Sequence, residues 1–332
     1  MTDMTRFIEE LPEAHHGLGE VLQDVVNACR EISRAIDRGA LTGAMGSQGE
    51  RNVQGEEQKK LDVISNELFL NHVQRSGRVA GVVSEEMEEP FLPPLASQTI
   101  GNEADRYLIL VDPLDGSSNV DANISVGTIF SILRCPENTD QPSAEAFLKP
   151  GADQLCAGYA MYGSSTMLVL TAGNGVQGFT LDRDTGAFML THPNMHIPPD
   201  TNEFAINISN YRFWEAPTQQ YIDDCLQGKE GTRGRDFNMR WIASMVAEVH
   251  RILIRGGTFM YPIDSKVRKQ GGRIRLLYEA NPMSFIVEQA GGMATTGRLR
   301  IMDIKPDALH QRVPVVMGSK NEVETITTYY KR

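Results

Sequence analysis

Hydrophobic residues near the start of the chain recur at steps of three and four positions. They are Leu18, Val21, Leu22, Val25, Cys29, Ile32 and Ile36. This spacing predicts an amphipathic helix, which Gly39 can end. Residues 39–55 show no periodicity, so we expect a long loop there, and loops of that length inside a domain are commonly functional. A second helix is predicted next, and its apolar face consists of Leu61, Ile64, Leu68 and His72 or Val73.

Short apolar runs farther along the chain predict strands that are buried on both faces. The runs cover residues 79–83, 107–111, 126–133, 155–162 and 167–171. Few helical patterns separate the later runs, so we expect a mixed sheet rather than a purely parallel one.

A proline-rich segment at residues 192–200 predicts a domain boundary. We therefore divide the chain into domains 1–195 and 196–332. In the second domain the pattern predicts strands over 204–208, 258–261 and 313–317, and helices over 217–226, 241–255, 282–290 and 322–330. Asn281 and Pro282 suit the N-cap and the first position of the third of these helices. The predicted fold class is α/β with mixed sheets, arranged as two layered lobes.

The chain has 332 residues and a formal net charge of −11. An acidic protein of this kind is not expected to bind nucleic acid, which requires a basic patch. Its four cysteines are scattered without a C-x-x-C pair, so neither a zinc site nor a disulfide framework is indicated. The N-terminus does not resemble a signal or transit peptide, and no apolar stretch is long enough to span a bilayer. We expect a soluble, cytoplasmic protein without a membrane partner.

The run at 107–111 leads into two carboxylates, Asp112 and Asp115, which are separated by Pro113 and Leu114. Carboxylates and backbone carbonyls are the preferred ligands of hard cations such as Mg²⁺, and the Leu114 carbonyl lies between the two acids. The next residues, Gly116, Ser117 and Ser118, supply backbone N–H groups and hydroxyls that suit a phosphate. The alternative is an ordinary acidic turn, because Asp, Pro and Gly all favour turns.

Two further acidic positions favour a metal site over a turn. The run at 79–83 also ends in paired carboxylates, Glu85 and Glu86, and ligand sites cluster at the carboxyl ends of strands. Glu279 follows another apolar run directly before a predicted helix. Taken alone, the first pair also fits a solvated turn, and Glu279 also fits an acid favoured by the helix dipole.

A glycine pattern at residues 173–178 matches G-x-G-x-x-G and follows a predicted strand. The residues after it predict a hairpin rather than a helix, so the context of a dinucleotide-binding motif is missing. We reject that interpretation.

Several sequence blocks together resemble the class I fructose-1,6-bisphosphatases. They are Ser84-Glu85-Glu86, the residues 112–119 (DPLDGSSN), the residues 276–283 (LLYEANPM), and the segments 52–62, 126–130, 162–167, 244–251 and 310–312. The D-P-x-D-G-[ST] element alone marks only the wider lithium-sensitive, inositol-phosphatase-like superfamily. The resemblance covers nearly the whole chain and implies a layered αβαβα sugar-phosphatase fold with an N-terminal metal-binding and regulatory domain and a C-terminal sugar-phosphate-binding domain.

The resemblance implies hydrolysis of the 1-phosphate of fructose-1,6-bisphosphate, in gluconeogenesis or Calvin-type carbon metabolism. It implies two to three Mg²⁺ ions per active site, with Mn²⁺ or Zn²⁺ as substitutes. Their implied ligands are Glu85, Glu86, Asp112, Asp115, Glu279 and the Leu114 carbonyl. Glu56 and Asp62 match acids that activate the attacking water. We expect Glu86 to handle the proton of that water. Glu56 stands where Asp is usual.

The resemblance also implies substrate contacts, a quaternary state and an effector. The substrate contacts are Gly116, Ser117, Ser118, Asn207, Arg240, Trp241, Tyr261 and Arg273. Arg240 matches an arginine lent by a neighbouring subunit, which fits a homotetramer. Arg273 stands in place of Lys and Trp241 in place of Tyr, and an Arg binds phosphate with bidentate geometry. The residues that match an AMP site are Gly19, Glu20, Arg106, Tyr107 and Arg134. Leu18 replaces a phosphate-binding Thr, which leaves AMP inhibition open.

Three alternative functions remain at this point. The first is the same hydrolysis of another substrate: sedoheptulose-1,7-bisphosphate, either alone or in addition to fructose-1,6-bisphosphate, or a sugar or inositol monophosphate. The chain also fits a non-catalytic phosphosugar sensor or scaffold, although all seven site positions carry carboxylates. A dinucleotide-dependent oxidoreductase is disfavoured by the hairpin after the glycine pattern.

Overall fold

A seven-stranded mixed sheet forms the first half of the computed structural model, which describes residues 2–11, 16–51, 57–94, 106–137, 139 and 141–331. Its strands are β3 (Val79–Ser84), β4 (Tyr107–Asp115), β5 (Val126–Arg134), β6 (Cys156–Tyr162), β7 (Thr166–Thr171), β8 (Gln177–Leu181) and β9 (Phe188–His192). They lie in chain order, with β3 parallel to β4 and every later pair antiparallel. The predicted mixed sheet is confirmed, and the glycine pattern at 173–178 leads into the hairpin β8–β9.

Three helices accompany this sheet: α1 (Met4–Glu9), α2 (His16–Thr42) and α3 (Lys60–Val73). The long helices pack their apolar residues on one face of the sheet in a single core. The prediction that Gly39 ends the first helix is wrong, because α2 continues to Thr42. A Cβ at this glycine would lie 3.0 Å from the Met45 sulfur and 3.4 Å from Leu61. The close packing there compensates for the roughly 1 kcal/mol that glycine costs inside a helix.

The predicted loop over 39–55 is also partly wrong. It contains the end of α2 and the strand β1 (Ser47–Arg51), which pairs antiparallel with β2 (Glu57–Lys59). Residues 52–56 lie outside the described part of the chain. Hydrophobic periodicity could not predict β1, because a short exposed two-stranded ribbon has no apolar face.

A middle layer of two helices, α5 (Met245–Arg255) and α6 (Asn281–Gln289), packs between the first sheet and a second one. The predicted start of α5 at 241 is wrong: Ala243 has φ +62°, and the Ser244 hydroxyl caps the helix by accepting the Ala247 N–H. Asn281 is not an N-cap either. Leu276–Ala280 forms a π-helix that runs directly into α6, so Asn281 already has helical φ and ψ angles.

The second sheet has five strands in the order β11-β10-β12-β16-β14. They are β10 (Glu203–Ala205), β11 (Asn238–Met239), β12 (Thr258–Tyr261), β14 (Met293–Thr295) and β16 (Val315–Gly318), and β13 (Ile274–Arg275) pairs separately with β15 (Arg312–Val313). The helices α4 (Ala216–Leu226) and α7 (Lys320–Tyr329) cover its outer face. The strand predicted to reach 208 is shorter, because a 3₁₀ turn, Ile208–Phe213, begins after Asn207.

The order of layers is therefore helix, sheet, helix, sheet, helix, which confirms the expected αβαβα class. Within the described ranges, no helix combines the length and the apolar character needed to cross a membrane. Parallel pairing brings the carboxyl ends of β3 and β4 to the same edge of the first sheet. The π-helix of the second half contacts β4 there, so acids from both halves of the chain can meet.

Candidate active site

Three buried carboxylates meet at the carboxyl end of β4. Asp112, Asp115 and Glu279 each present an oxygen, and these atoms lie within 4.8 Å of one another. The first two come from β4, which bulges between them by one residue relative to β5. The third comes from the π-helix, whose wider turn is a common device for aiming a side chain at a functional site.

Hydrogen bonds fix the orientation of each of these carboxylates. The Val246 N–H donates to Asp115 Oδ2 at 2.9 Å, with the Ser244 hydroxyl at 3.3 Å from the same oxygen. The Leu114 N–H donates to Asp112 Oδ1 at 3.0 Å, and the Arg275 N–H donates to Glu279 Oε2 at 2.6 Å. The donors are almost all backbone groups, so these hydrogen bonds orient the carboxylates without adding a balancing charge.

The cluster carries more negative charge than its protein surroundings balance. Burial, together with repulsion from Glu85, raises the pKa of Asp112 well above its usual range. Burial raises the pKa of Asp115 to about 6 and that of Glu279 to about 8. Buried acids that resist ionisation in this way are suited to a cation that supplies the missing charge, and three carboxylate oxygens are a hard donor set of the kind Mg²⁺ prefers. The residues therefore fit a divalent metal.

Glu85 and Glu86 lie beside this cluster in different environments. Glu85 is buried and pairs with Arg275, since Arg275 Nη2 is 2.7 Å from Glu85 Oε1. The other terminal nitrogen of Arg275, Nη1, is 3.8 Å from Glu279 Oε2. Glu86 is half-buried and accepts a hydrogen bond from the Gln58 side chain. Arg275 was missed in the sequence analysis. The signal that points to it is a basic residue in an apolar run four positions before Glu279.

The phosphate-binding turn predicted after Asp115 has a suitable backbone. Gly116 has φ +76°, a conformation that favours glycine, and a 3₁₀ helix, Ser117–Ala122, follows it. Asp62 connects this turn to α3, because its carboxylate accepts from the Ser117 hydroxyl and, at 2.7 Å, from the Lys59 N–H. Burial raises the pKa of Asp62 to about 6. Glu56 lies outside the described residues.

One cavity of about 520 Å³ collects most of these groups. Its lining consists of Lys59, Asp62, Glu85, Glu86, Asp112, Leu114, Asp115, Gly116, Ser117, Ser118, Gln270, Arg273, Arg275, Glu279 and Arg312. The lining therefore combines six acids with the arginines Arg273, Arg275 and Arg312. Acids that can hold cations next to arginines suit an anionic ligand that approaches bound cations.

The predicted substrate residues Trp241, Tyr261 and Arg273 form one group, and of these three only Arg273 is among the cavity-lining residues. The Trp241 ring stacks on Phe259 and meets the Tyr261 ring edge-on, with centroids 5.7 Å apart. The Arg273 guanidinium carbon lies 6.0 Å from the centroid of Tyr261, which ties this aromatic group to the cavity wall. These three side chains form a continuous aromatic and cationic group.

Asn207 and Arg240 are not among the cavity-lining residues. Asn207 accepts hydrogen bonds from the Ser209 N–H and hydroxyl, and so caps the 3₁₀ turn that follows it. Arg240 Nη2 lies 3.4 Å from Glu203 Oε1, in a group that also holds Arg251 and Arg255. Their assignment to the substrate stays a prediction.

Family models match both halves of the chain. The model described as "Fructose-1-6-bisphosphatase, N-terminal domain" matches residues 3–193, and the model described as "Fructose-1-6-bisphosphatase, C-terminal domain" matches residues 197–331. The chain belongs to the fructose-1,6-bisphosphatase family. The resemblance noted from the sequence blocks is thereby confirmed.

Individual members of the fructose-1,6-bisphosphatase family agree closely with this chain. A protein from Halorhodospira halophila named "Fructose-1,6-bisphosphatase class 1" is 57% identical, over 99% of this chain and 98% of its own length. The crystal structure of Leishmania major fructose-1,6-bisphosphatase in holo form matches with a TM-score of 0.91 at 39% identity, over 100% of this chain and 99% of that one. The apo form of the same protein matches with a TM-score of 0.85 at 38% identity and the same coverage.

The residues that resemble the family's AMP site lie at the other end of β4 from the acids. Tyr107 begins that strand directly after Arg106. It pairs in register with Arg134, whose guanidinium carbon is 6.0 Å from the tyrosine ring. Arg78 binds Glu20 through both Nε and Nη2, at 2.7 and 2.9 Å. Gly19 packs against Ile8 of α1, where a Cβ would come within 2.7 Å. The strand separates the two groups by roughly 25 Å.

Proposed function

We propose that this chain is a fructose-bisphosphatase that hydrolyses the 1-phosphate of fructose-1,6-bisphosphate, giving fructose-6-phosphate and phosphate. The observation that carries the proposal is the single cavity in which Asp112, Asp115 and Glu279 face the turn at Gly116–Ser118. Membership of the fructose-1,6-bisphosphatase family and the 57% identity to a class 1 enzyme support this substrate. The reaction belongs to gluconeogenic carbohydrate metabolism.

The proposed cofactor is Mg²⁺, two or three ions per site, with Mn²⁺ or Zn²⁺ as substitutes. Asp112, Asp115 and Glu279 would hold them, together with Glu85, Glu86 and the Leu114 carbonyl. Bound divalent ions supply Lewis-acid stabilisation of the phosphoryl oxygens and a more acidic water. The buried, incompletely balanced charge of the three central carboxylates supports this assignment.

Acids at the rim of the cavity are proposed to handle the proton of the attacking water. Asp62 is suited to that role, because its pKa of about 6 lets it accept a proton near neutral pH. Its hydrogen bond from Ser117 aims it at the turn at Gly116–Ser118, where the 1-phosphate is proposed to bind. Glu86 and Glu56 are the other proposed proton carriers.

Arg273, which lines the cavity, is proposed to receive the far end of the substrate. It would bind the 6-phosphate, with Tyr261 and Trp241 packed beside it. Asn207 and, from a neighbouring subunit, Arg240 complete the proposed contacts. In this proposal the substrate's two phosphates contact different groups of the same cavity, the turn at Gly116–Ser118 and Arg273.

The change Arg273→Ala is expected to raise KM for fructose-1,6-bisphosphate about 100-fold and to alter kcat by less than about threefold, because a remote phosphate contact binds ground and transition states alike. Arg273→Lys keeps the charge without the bidentate geometry, and an increase of about tenfold is expected. Steady-state kinetics at saturating Mg²⁺ measure both values. Arg268→Ala is the matched control, because this exposed arginine pairs with Glu215 outside the cavity. A lower kcat at unchanged KM would contradict the role of Arg273.

Sedoheptulose-1,7-bisphosphate is the second candidate substrate. Trp241 stands in place of a tyrosine whose hydroxyl would contact phosphate, and its ring packs against Tyr261 instead, which favours a looser choice of sugar. The deciding experiment measures Mg²⁺-dependent phosphate release from both bisphosphates and compares kcat/KM. Release from neither, with binding retained, would instead identify a phosphosugar sensor.

The remaining proposals concern regulation, assembly, location and domain organisation. Arg106, Tyr107 and Arg134 form a basic and aromatic group at the start of β4 that suits the AMP phosphate and base, and inhibition assays with AMP test it. The proposed assembly is a homotetramer in the cytoplasm, with Arg240 acting across a subunit contact. The proposed domains are 1–195 and 196–332, and the two family-model matches support this division.

A further inference from the structure

Thr128 lies in the apolar core beneath the acidic cluster and contacts the part of β4 between Asp112 and Asp115. The side chains of alternate β5 residues face α2 and α3, and three of these, Val126, Phe130 and Ile132, are apolar core residues. Thr128 interrupts this row with a hydroxyl that has no exposed surface. A buried hydroxyl is unfavourable unless it is hydrogen-bonded, so its partners show what it is for.

The partner of Thr128 is the bulge in β4. Asp112 pairs with Ile129 and Asp115 pairs with Gly127, so Pro113 and Leu114 together lie opposite Thr128 alone. A bulge of this kind interrupts the hydrogen-bond ladder between strands. The Thr128 hydroxyl donates to the Pro113 carbonyl at 2.8 Å and so replaces the missing ladder bond with a side-chain bond.

The bonded carbonyl belongs to a peptide group that is fixed at both ends. The C=O of the Pro113–Leu114 peptide accepts from Thr128, and its N–H donates to Asp112 Oδ1 at 3.0 Å. The orientation of this one peptide plane therefore sets the Asp112 carboxylate directly. It also constrains Leu114 from its N-terminal side, and Leu114 carries the next carbonyl.

The chemistry of the groups determines the direction of a longer hydrogen-bond chain. Because a carbonyl only accepts, the single Thr128 proton goes to Pro113, and the Tyr162 hydroxyl at 2.7 Å must donate to Thr128. The thiol of Cys29, in α2, contacts the Tyr162 hydroxyl in turn. All three side chains are buried, so no water competes with this chain.

We propose that Thr128 is a positioning residue for the metal site: its hydrogen bond to Pro113, supported by Tyr162, holds the bulge in the geometry that Asp112 and the Leu114 carbonyl need to bind a divalent cation. This inference rests on the proposed function, because it assumes that the acidic cluster binds metal. Partners that orient metal ligands typically change metal affinity or activity by 10- to 100-fold when they are removed.

The test compares Thr128→Val, which has nearly the same shape but no hydroxyl, with Thr128→Ser, which keeps the hydroxyl. Binding of Mn²⁺ to the metal-free protein is measured without substrate, by calorimetry or electron paramagnetic resonance. Thr128→Val is expected to raise the Mn²⁺ dissociation constant by about 10- to 100-fold, and Thr128→Ser to stay within about threefold of the wild type. In kinetics, the Mg²⁺ concentration at half-maximal rate should rise in parallel, while KM for the bisphosphate at saturating Mg²⁺ stays within about threefold.

Wild-type Mn²⁺ affinity in Thr128→Val would overturn the inference, even if its Tm is lower, because a merely structural role lowers Tm without changing the affinity of the folded protein. If Thr128→Val does not fold, Mn²⁺ binding to Thr128→Cys is measured instead. A thiol is a weaker donor than a hydroxyl, so an intermediate Mn²⁺ affinity is expected. Unchanged affinity in Thr128→Cys would then overturn the inference. The wild type separates the two proposals: if it binds no Mn²⁺, the proposed function itself fails.

Discussion

Replacing Asp115 by asparagine is expected to lower kcat by about 10³-fold or more, which corresponds to about 4 kcal/mol of lost transition-state stabilisation. Asparagine keeps the shape of the side chain and can still accept the Val246 N–H bond that holds Asp115 Oδ2 at 2.9 Å. What it removes is the negative charge that the three-carboxylate cluster offers to a cation. The measurement is the rate of phosphate release from fructose-1,6-bisphosphate at increasing Mg²⁺.

The matched control for this change is Asp153→Asn, which makes the same substitution at an exposed position outside the cavity. It should leave kcat and the Mg²⁺ response as they are in the wild type. Turnover by Asp115→Asn at the wild-type rate in excess Mg²⁺ would contradict the assignment of Asp115 to the metal site. Because the substitution also removes a buried charge, the Tm of Asp115→Asn in EDTA should not fall.

Metal removal is expected to make the protein less stable as the pH rises. The pKa values of Asp112, Asp115, Glu279 and Asp62 are all raised in the native state, to about 8 for Glu279 and about 6 for Asp115 and Asp62. From about pH 4 to about pH 8 these four carboxyl groups therefore hold more protons in the native state than in the unfolded chain, so their contribution to the free energy of unfolding falls through this window. The expected loss in Tm is roughly 10 °C.

Thermal unfolding in EDTA across this pH window measures the effect, and excess Mg²⁺ should remove it, because the bound cation takes the place of the protons. Glu279→Gln is the informative variant. It eliminates the carboxyl group whose pKa is about 8, so its Tm in EDTA should fall less between neutral and alkaline pH. A Tm in EDTA that climbs with pH in the wild type would show that these acids are not held as buried, unbalanced charges.

The sequence was most informative where a single local pattern sufficed. Apolar runs located the strands of the first sheet, and acids at the ends of two of them, Glu85 and Asp112, located the site. Both inferences depend only on burial and on residues adjacent in the chain. The parallel pairing of β3 and β4 brings the two strand ends together. The sequence indicated this, because both apolar runs end in acids.

The details that sequence patterns missed depend on contacts between distant residues. Glu279 reaches the cluster from a π-helix, which a periodicity of 3.6 residues does not describe. The role of Arg275 depends on Glu85 lying 2.7 Å away, directly after a strand from the other half of the chain. The helix α2 continues past Gly39 because of packing against Met45, which no local propensity contains.

The meeting of Asp112 and Glu279 also has a consequence for how the protein folds and unfolds. These residues are far apart in sequence, and closing so long a segment costs chain entropy before the contact contributes anything. The acidic cluster is thus expected to be completed late, after both sheets have formed. Interactions that are absent from the folding transition state slow unfolding and leave the folding rate nearly unchanged. A cation at this site is therefore expected to slow unfolding, and so to prolong the lifetime of the native protein, without raising the folding rate.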